Sequence, residues 1–190
     1  MNLNKLKEKV YKNAVAHGWH DEEYSDAHWL CLVIAELMEA IEADRNYKYA
    51  YRKDFEESLI KLGARAGIRK WREAFEICIK DRLEDELADA CIRILDLAGL
   101  RNIDMGSVDI KELKSSEGFF NWTFTESMFY IISQIMDICH DSEMDDKFLR
   151  SVICEIFRYC IQKNIDIEWY ILQKMKYNRY RPYKHGNKKY

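Results

Sequence analysis

Apolar residues recur along this chain at spacings of three and four, the period of an α-helix, and no stretch alternates as a strand does. Leu3 to His17 reads as a short amphipathic helix that ends at Gly18. A connector, Trp19-His20-Asp21-Glu22-Glu23, follows. Ser25 or Asp26 can cap the next helix, which runs from Ala27 to about Arg45. That helix is apolar on almost every side, with Trp29, Leu30, Cys31, Leu32, Val33, Ile34, Leu37, Met38 and Ile41, and a helix of this kind is expected to be buried. Tyr47 to Leu62 reads as a more polar helix, Gly63 and Gly67 mark a loop, and Ile68 to Cys78 forms another short helix. The cleanest amphipathic pattern spans Lys80 to Leu100, with Leu83, Leu87, Ala90, Ile94 and Leu97 as its stripe. A connector from Asn102 to Gly118 has room for one helical turn, and helices are predicted from Thr125 to Cys139, Met144 to Gln162 and Asp166 to Tyr177. The pattern predicts an all-α protein, an antiparallel bundle around Ala27–Arg45, Lys80–Leu100, Thr125–Cys139 and Met144–Gln162.

Composition supports this and narrows the function classes. One proline and seven glycines in 190 residues break up little of the chain, and the length suits one domain with a sizeable core. The six cysteines, Cys31, Cys78, Cys91, Cys139, Cys154 and Cys160, have no Cys-x-x-Cys spacing and read as small hydrophobes in a reducing compartment. No run is apolar and long enough for a membrane span, so a cytoplasmic protein without membrane contact is expected. The net charge of −3 argues against general nucleic-acid binding, although five Lys or Arg and no acid fall between Asn178 and Tyr190.

Chemistry enters with two acidic pairs. Glu36 and Glu39, and Glu86 and Asp89, are each spaced three apart, which puts both carboxylates of a pair on one helix face. Such pairs are most often solvated. Carboxylates on an apolar helix, however, need a cation or hydrogen bonds to meet them. Two facing pairs suit Mg²⁺, a hard ion with oxygen ligands that keeps waters for a phosphate substrate. Asp96, on the same helix, is expected to be a solvated acid.

A faint repeat adds to this. Val33 to Glu39 can be laid on Ile131 to Asp137, and Leu87 to Met105 on Leu149 to Ile167. In the second copy Glu36 becomes Gln134, Glu86 becomes Phe148 and Asp89 becomes Ser151. The reading is one domain over residues 1–190, with a metal-binding half at 1–105, an acid-poor scaffold half at 119–178 and a basic tail at 179–190.

With these motifs the chain resembles the MazG-like all-α nucleoside triphosphate pyrophosphohydrolases. Glu36-Leu-Met-Glu39 and Glu86-Leu-Ala-Asp89 resemble the family's ExxE and ExxD motifs. Lys174, Asn178 and Arg181, followed by His185-Gly186, resemble its K-x3-N-x2-R ending, and Gly18-Trp19-His20-Asp21 its glycine-aromatic lead-in. The long gap from Glu39 to Glu86 and the acid-poor second half depart from a minimal member and resemble the dimeric dUTPase branch, which leaves a homodimer open. The resemblance implies a MazG-like bundle with a degenerate second half and Mg²⁺, with Mn²⁺ as substitute, held by Glu36, Glu39, Glu86 and Asp89. It implies cleavage of a nucleoside triphosphate, dUTP-like or non-standard among the options, to the monophosphate and pyrophosphate. Lys174, Asn178 and Arg181 would contact phosphates, and Trp19 and His20 would border the base. The rivals are a non-catalytic helical interaction module, a nucleic-acid-associated protein using the basic tail, and a di-iron carboxylate bundle, which wants Glu-x-x-His motifs that neither acidic pair supplies.

Overall fold

The computed structural model describes residues 1–63, 67–115, 118–119, 121–138 and 146–189. The expected helix ends at Cys139 and Met144, and residues 64–66 of the expected loop, lie outside the described residues. The helices are α1 (Leu3–Ala16), α2 (Asp26–Arg45), α3 (Arg52–Leu62), α4 (Ile68–Cys78), α5 (Leu83–Leu100), α6 (Ile110–Ser115), α7 (Phe124–Ile138), α8 (Asp146–Gln162) and α9 (Ile167–Arg179). A last single turn, α10 (Lys184–Asn187), has positive φ at Lys184, His185 and Gly186. Among the described residues there is no strand, only an isolated bridge between Asn2 and Ser107. The fold is all-α, and among the described residues no helix is long and apolar enough to cross a membrane.

Local chemistry sets the helix ends. Ser25 is the cap of α2, its side chain accepting from the His28 amide, and Asn2 caps α1 in the same way from Lys5. The helix expected from Tyr47 begins only at Arg52. Asn46 closes α2, Tyr47 takes a positive φ, and the next residues are spent on α5. The Leu83 amide donates to the Lys48 carbonyl at 3.0 Å, and the Ala50 amide donates to Glu84 Oε2 at 2.7 Å. These bonds satisfy groups at the start of α5 that a continuing α3 would leave orphaned.

The two longest site helices exchange the roles their patterns suggest. α2 is not buried on all sides: Cys31, Ala35, Met38 and Glu42 form an exposed face, with Met38 51 % exposed. α5 is the central helix instead. It packs against α1, α2, α8 and α9, and it buries Asp85, Glu86 and Asp96 as well as its leucines and isoleucines. Small residues explain this. Ala88, Cys91, Ala98 and Gly99 let neighbours approach on faces beside the leucine stripe, and a methyl group on Gly99 would run into the Tyr11 side chain. Leu83, Leu87, Ile94, Leu95 and Leu97 are each worth about 1.5–3 kcal/mol when removed from water.

α2 packs on α5 and α7, α7 on α8, and α8 on α5. The two stretches of the sequence repeat occupy matching burial. Leu87, Ala90, Cys91, Ile94 and Leu95 are buried, and so are Leu149, Val152, Ile153, Ile156 and Phe157. α5 and α8 also end alike. Asn102 and Asn164 both have positive φ, and the Ile103 and Ile165 amides donate to Ala98 and Cys160 at 2.9 and 2.7 Å. Cys78, Cys91 and Cys160 are buried, Cys154 is half-buried, Cys31 is exposed, and all five are free thiols, while Cys139 lies outside the described residues.

Candidate metal centre

The first turn of α5 carries three acids, Glu84, Asp85 and Glu86, where the helix dipole favours negative charge. Arg82 opens the helix without a side-chain cap. Asp85 reaches back instead, its Oδ2 accepting from the Asp81 amide at 3.0 Å. Asp85 is 1 % exposed, so its charge needs a partner, and α9 supplies one. Lys174 Nζ lies 2.6 Å from Asp85 Oδ2 and 2.7 Å from Asp89 Oδ2. Burial works against the ammonium, but Asp85 and then Asp89 outweigh it and hold Lys174 protonated well above the ordinary lysine range. Burial likewise raises the Asp85 carboxyl, against the pull of Lys174 and the Asp81 amide.

Next to this fixed pair is a set of acids with less compensation. Carboxylate oxygens of Glu36, Glu86 and Asp89 lie within 4.8 Å of one another. Glu86 is 4 % exposed, and its carboxylate makes no hydrogen bond or ion pair among the described residues. Burial, and then the charge of Asp89, push its carboxyl up to about 9. Burial and Asp89 push Glu36 to about 7, against Arg93, whose Nε donates to Glu36 Oε1 at 3.0 Å. A buried carboxyl without a partner needs a proton or a cation to be tolerated there. The donor set is all oxygen and suits Mg²⁺ or Mn²⁺. Glu39 is exposed and lines the mouth of the same cleft, outside the close cluster. Asp81, Asp85 and Glu86 also approach within 4.8 Å, but Lys80 pairs with Asp81 and Lys174 with Asp85.

The other wall of the cleft is cationic. Arg93, Arg181, Lys188 and Lys80 line it together with Trp19, Asn178 and His185. The side chains of Arg181 and Lys188 make no hydrogen bond or ion pair among the described residues, and neither do the terminal nitrogens of Arg93. Burial lowers the Arg181 guanidinium, and Arg93 beside it adds to the effect. His185 sits edge-on to Trp19 at 5.0 Å, and burial with Arg181 close by depresses it to about 3, so it is neutral.

The tail is already docked. The Lys184 amide donates to the His17 carbonyl at 3.0 Å, Tyr183 donates to Asp21, and Lys184 Nζ reaches Glu22 at 3.4 Å. Tyr183 packs flat on Gly18, whose φ of 76° and missing Cβ make room for the ring.

Of the residues singled out in the sequence, Glu36, Glu39, Glu86, Asp89, Trp19, Lys174, Asn178 and Arg181 all line this cleft. Lys174, expected on a phosphate, is buried here against Asp85 and Asp89. His20 does not line the cleft. Its Nε2 lies 2.8 Å from Asp96 Oδ1, and its ring packs between Tyr11 and Trp29. Asp96 is therefore not solvated but buried, its carboxyl raised by that burial against the His20 bond. Arg93 and Asp85 were missed as site residues. The signal for Arg93 was there, since it follows Asp89 by four on one helix face. Asp85 gave the same signal, since it precedes Asp89 by four on that helix. Compared with known proteins, the chain matches no family model, no curated protein and no solved structure.

Proposed function

We propose that this protein is a Mg²⁺-dependent nucleoside triphosphate pyrophosphohydrolase of the MazG-like all-α kind. One observation carries the reading: a single cleft joins the undercompensated acids Glu36, Glu86 and Asp89 to the unpaired ends of Arg93, Arg181 and Lys188. Acids alone repel a polyphosphate and bases alone bind any anion, whereas the two together suit a metal–polyphosphate. A divalent ion held by Glu36, Glu86 and Asp89 would neutralise the triphosphate and acidify a water. Arg181 and Lys188 take phosphate oxygens, Arg181 as a fork and Lys188 as a point charge. Glu39, exposed at the mouth and without a hydrogen bond among the described residues, is the carboxylate able to accept a proton from the attacking water. Trp19 and neutral His185 offer aromatic edges beside the phosphate wall, fitting a base. On this reading α7 and α8 are a degenerate copy of α2 and α5, with Phe148 buried where Glu86 stands in the first copy. The shared burial register and the paired Asn102 and Asn164 turns support that duplication.

The test is pyrophosphate release from a panel of ribo- and deoxynucleoside triphosphates, with and without Mg²⁺. Release of pyrophosphate and monophosphate from at least one member, lost on chelation and in Asp89→Asn, is expected. Mg²⁺-independent release, or none from any member, refutes the reading.

A further inference from the structure

Arg93 is tied to the acids by one bond and otherwise faces the cleft. It differs in this from Lys174. Lys174 is 4 % exposed and held by two carboxylates at 2.6 and 2.7 Å, a fixed part of the protein. The Arg93 side chain keeps 26 % of its surface exposed and gives a single nitrogen to Glu36, at 3.0 Å. Its neighbours on the other side are Trp19, with the guanidinium carbon 6.0 Å from the ring, and the cationic Arg181 and Lys188 around neutral His185. Asp96, the remaining nearby acid on α5, is taken by His20.

We propose that Arg93 is an exchanging phosphate ligand: it neutralises Glu36 in the metal-free cleft and turns its guanidinium to the polyphosphate when a divalent cation takes Glu36. This rests on the pyrophosphohydrolase reading and names a substrate contact that the motifs do not contain. The physical reason is competition for one carboxylate. A divalent ion on Glu36 satisfies the charge that Arg93 satisfies in its absence, and it repels the guanidinium. Glu86 is on the ion with Glu36, Asp81 is paired with Lys80, Asp89 with Lys174 and Asp96 with His20. That leaves the displaced guanidinium only solvent-exposed Glu39 among the acids lining the cleft, and no buried anion. An arriving polyphosphate is the missing anion, and it accepts a planar fork well. Arg93 projects from α5 one turn beyond Asp89, so the exchange needs side-chain rotation and no movement of the helix. Metal and polyphosphate binding are thereby coupled through one residue, and the empty cleft is kept from binding bare anions strongly, because one of its guanidinium groups is occupied.

The test separates exchange from a merely structural ion pair between α2 and α5. Mn²⁺ binding is measured by electron paramagnetic resonance at about pH 8, above the value at which Glu36 titrates. Tripolyphosphate binding is measured by calorimetry in saturating Mg²⁺. Wild type is compared with Arg93→Gln, Arg93→Lys and Arg181→Gln, and circular dichroism and melting establish that each variant is folded. Arg93→Gln should bind Mn²⁺ about three- to tenfold tighter and tripolyphosphate at least about tenfold weaker, opposite signs that a structural pair does not produce. Arg93→Lys, which keeps the charge, should hold Mn²⁺ near the wild-type affinity and recover part of the tripolyphosphate binding. Arg181→Gln should weaken tripolyphosphate alone. Weaker Mn²⁺ binding in Arg93→Gln, unchanged tripolyphosphate binding, or equal tightening of Mn²⁺ in Arg181→Gln each overturns the exchange while leaving the pyrophosphohydrolase reading in place. Absence of Mn²⁺ binding in the wild type overturns both.

Discussion

A lysine with almost no exposed surface is stable here because two carboxylates close on it, and the same contact makes those carboxylates tolerable in the core. Removing one member of such a pair is costly, since the other remains buried and charged. Lys174→Met should cost about 3–5 kcal/mol in urea denaturation, and the double variant Asp85→Asn, Lys174→Met should recover much of that loss. Glu86 behaves differently because it has no such partner. Its carboxyl titrates near 9 when folded and near 4.5 when unfolded, so between these values the folded state holds the extra proton. Stability of the metal-free protein should therefore fall as pH rises from about 5 toward about 9. Melting curves without metal should show this decline, Glu86→Gln should flatten it, and Mg²⁺ should raise the melting temperature far more at about pH 8.5 than at about pH 6. A sequence reading finds Glu86 as an acid on a helical face, yet it cannot tell whether that face meets water. It could not see that Lys174 and Asp85 meet across 89 positions, or that His20 is spent on Asp96.

At the level of elements, much was legible, because period and caps are local. Ile68 to Cys78 forms the helix its pattern predicts, and Ser25 and Gly18 end what they were expected to end. What was not legible is which helix lies at the centre, since that depends on what packs on each face. α2 has the longer unbroken apolar run, from Trp29 to Ala35, but an outer face at Cys31, Ala35 and Met38, while the small residues of α5 invite neighbours on all sides. Two substitutions separate these roles. Gly99→Ala forces a methyl against Tyr11 and should cost about 1–3 kcal/mol. Met38→Gln, on the exposed face of α2, should change stability by no more than about 0.5 kcal/mol.

For the whole molecule, the acids come from α2 and α5 and the bases from α5, α9 and the tail, so the cleft draws on residues from Trp19 to Lys188. The basic tail is fastened to the rest of the chain through Tyr183 and Lys184. Removing residues 181–190 should leave helical content nearly unchanged and Mn²⁺ binding intact, and should abolish tripolyphosphate binding. Retained binding in the truncated protein would take the tail out of the site. The fastening of Lys184 to His17 has a consequence in time. It joins positions 17 and 184, outside the packed helices, and contacts between such distant positions form slowly. The protein thus acquires its shape first and its phosphate wall last. Heated or diluted in denaturant, it should lose them in the reverse order. Amide hydrogens of Lys184 and His185 should exchange orders of magnitude faster than those of Leu95 or Ala98, through an opening that leaves the core intact.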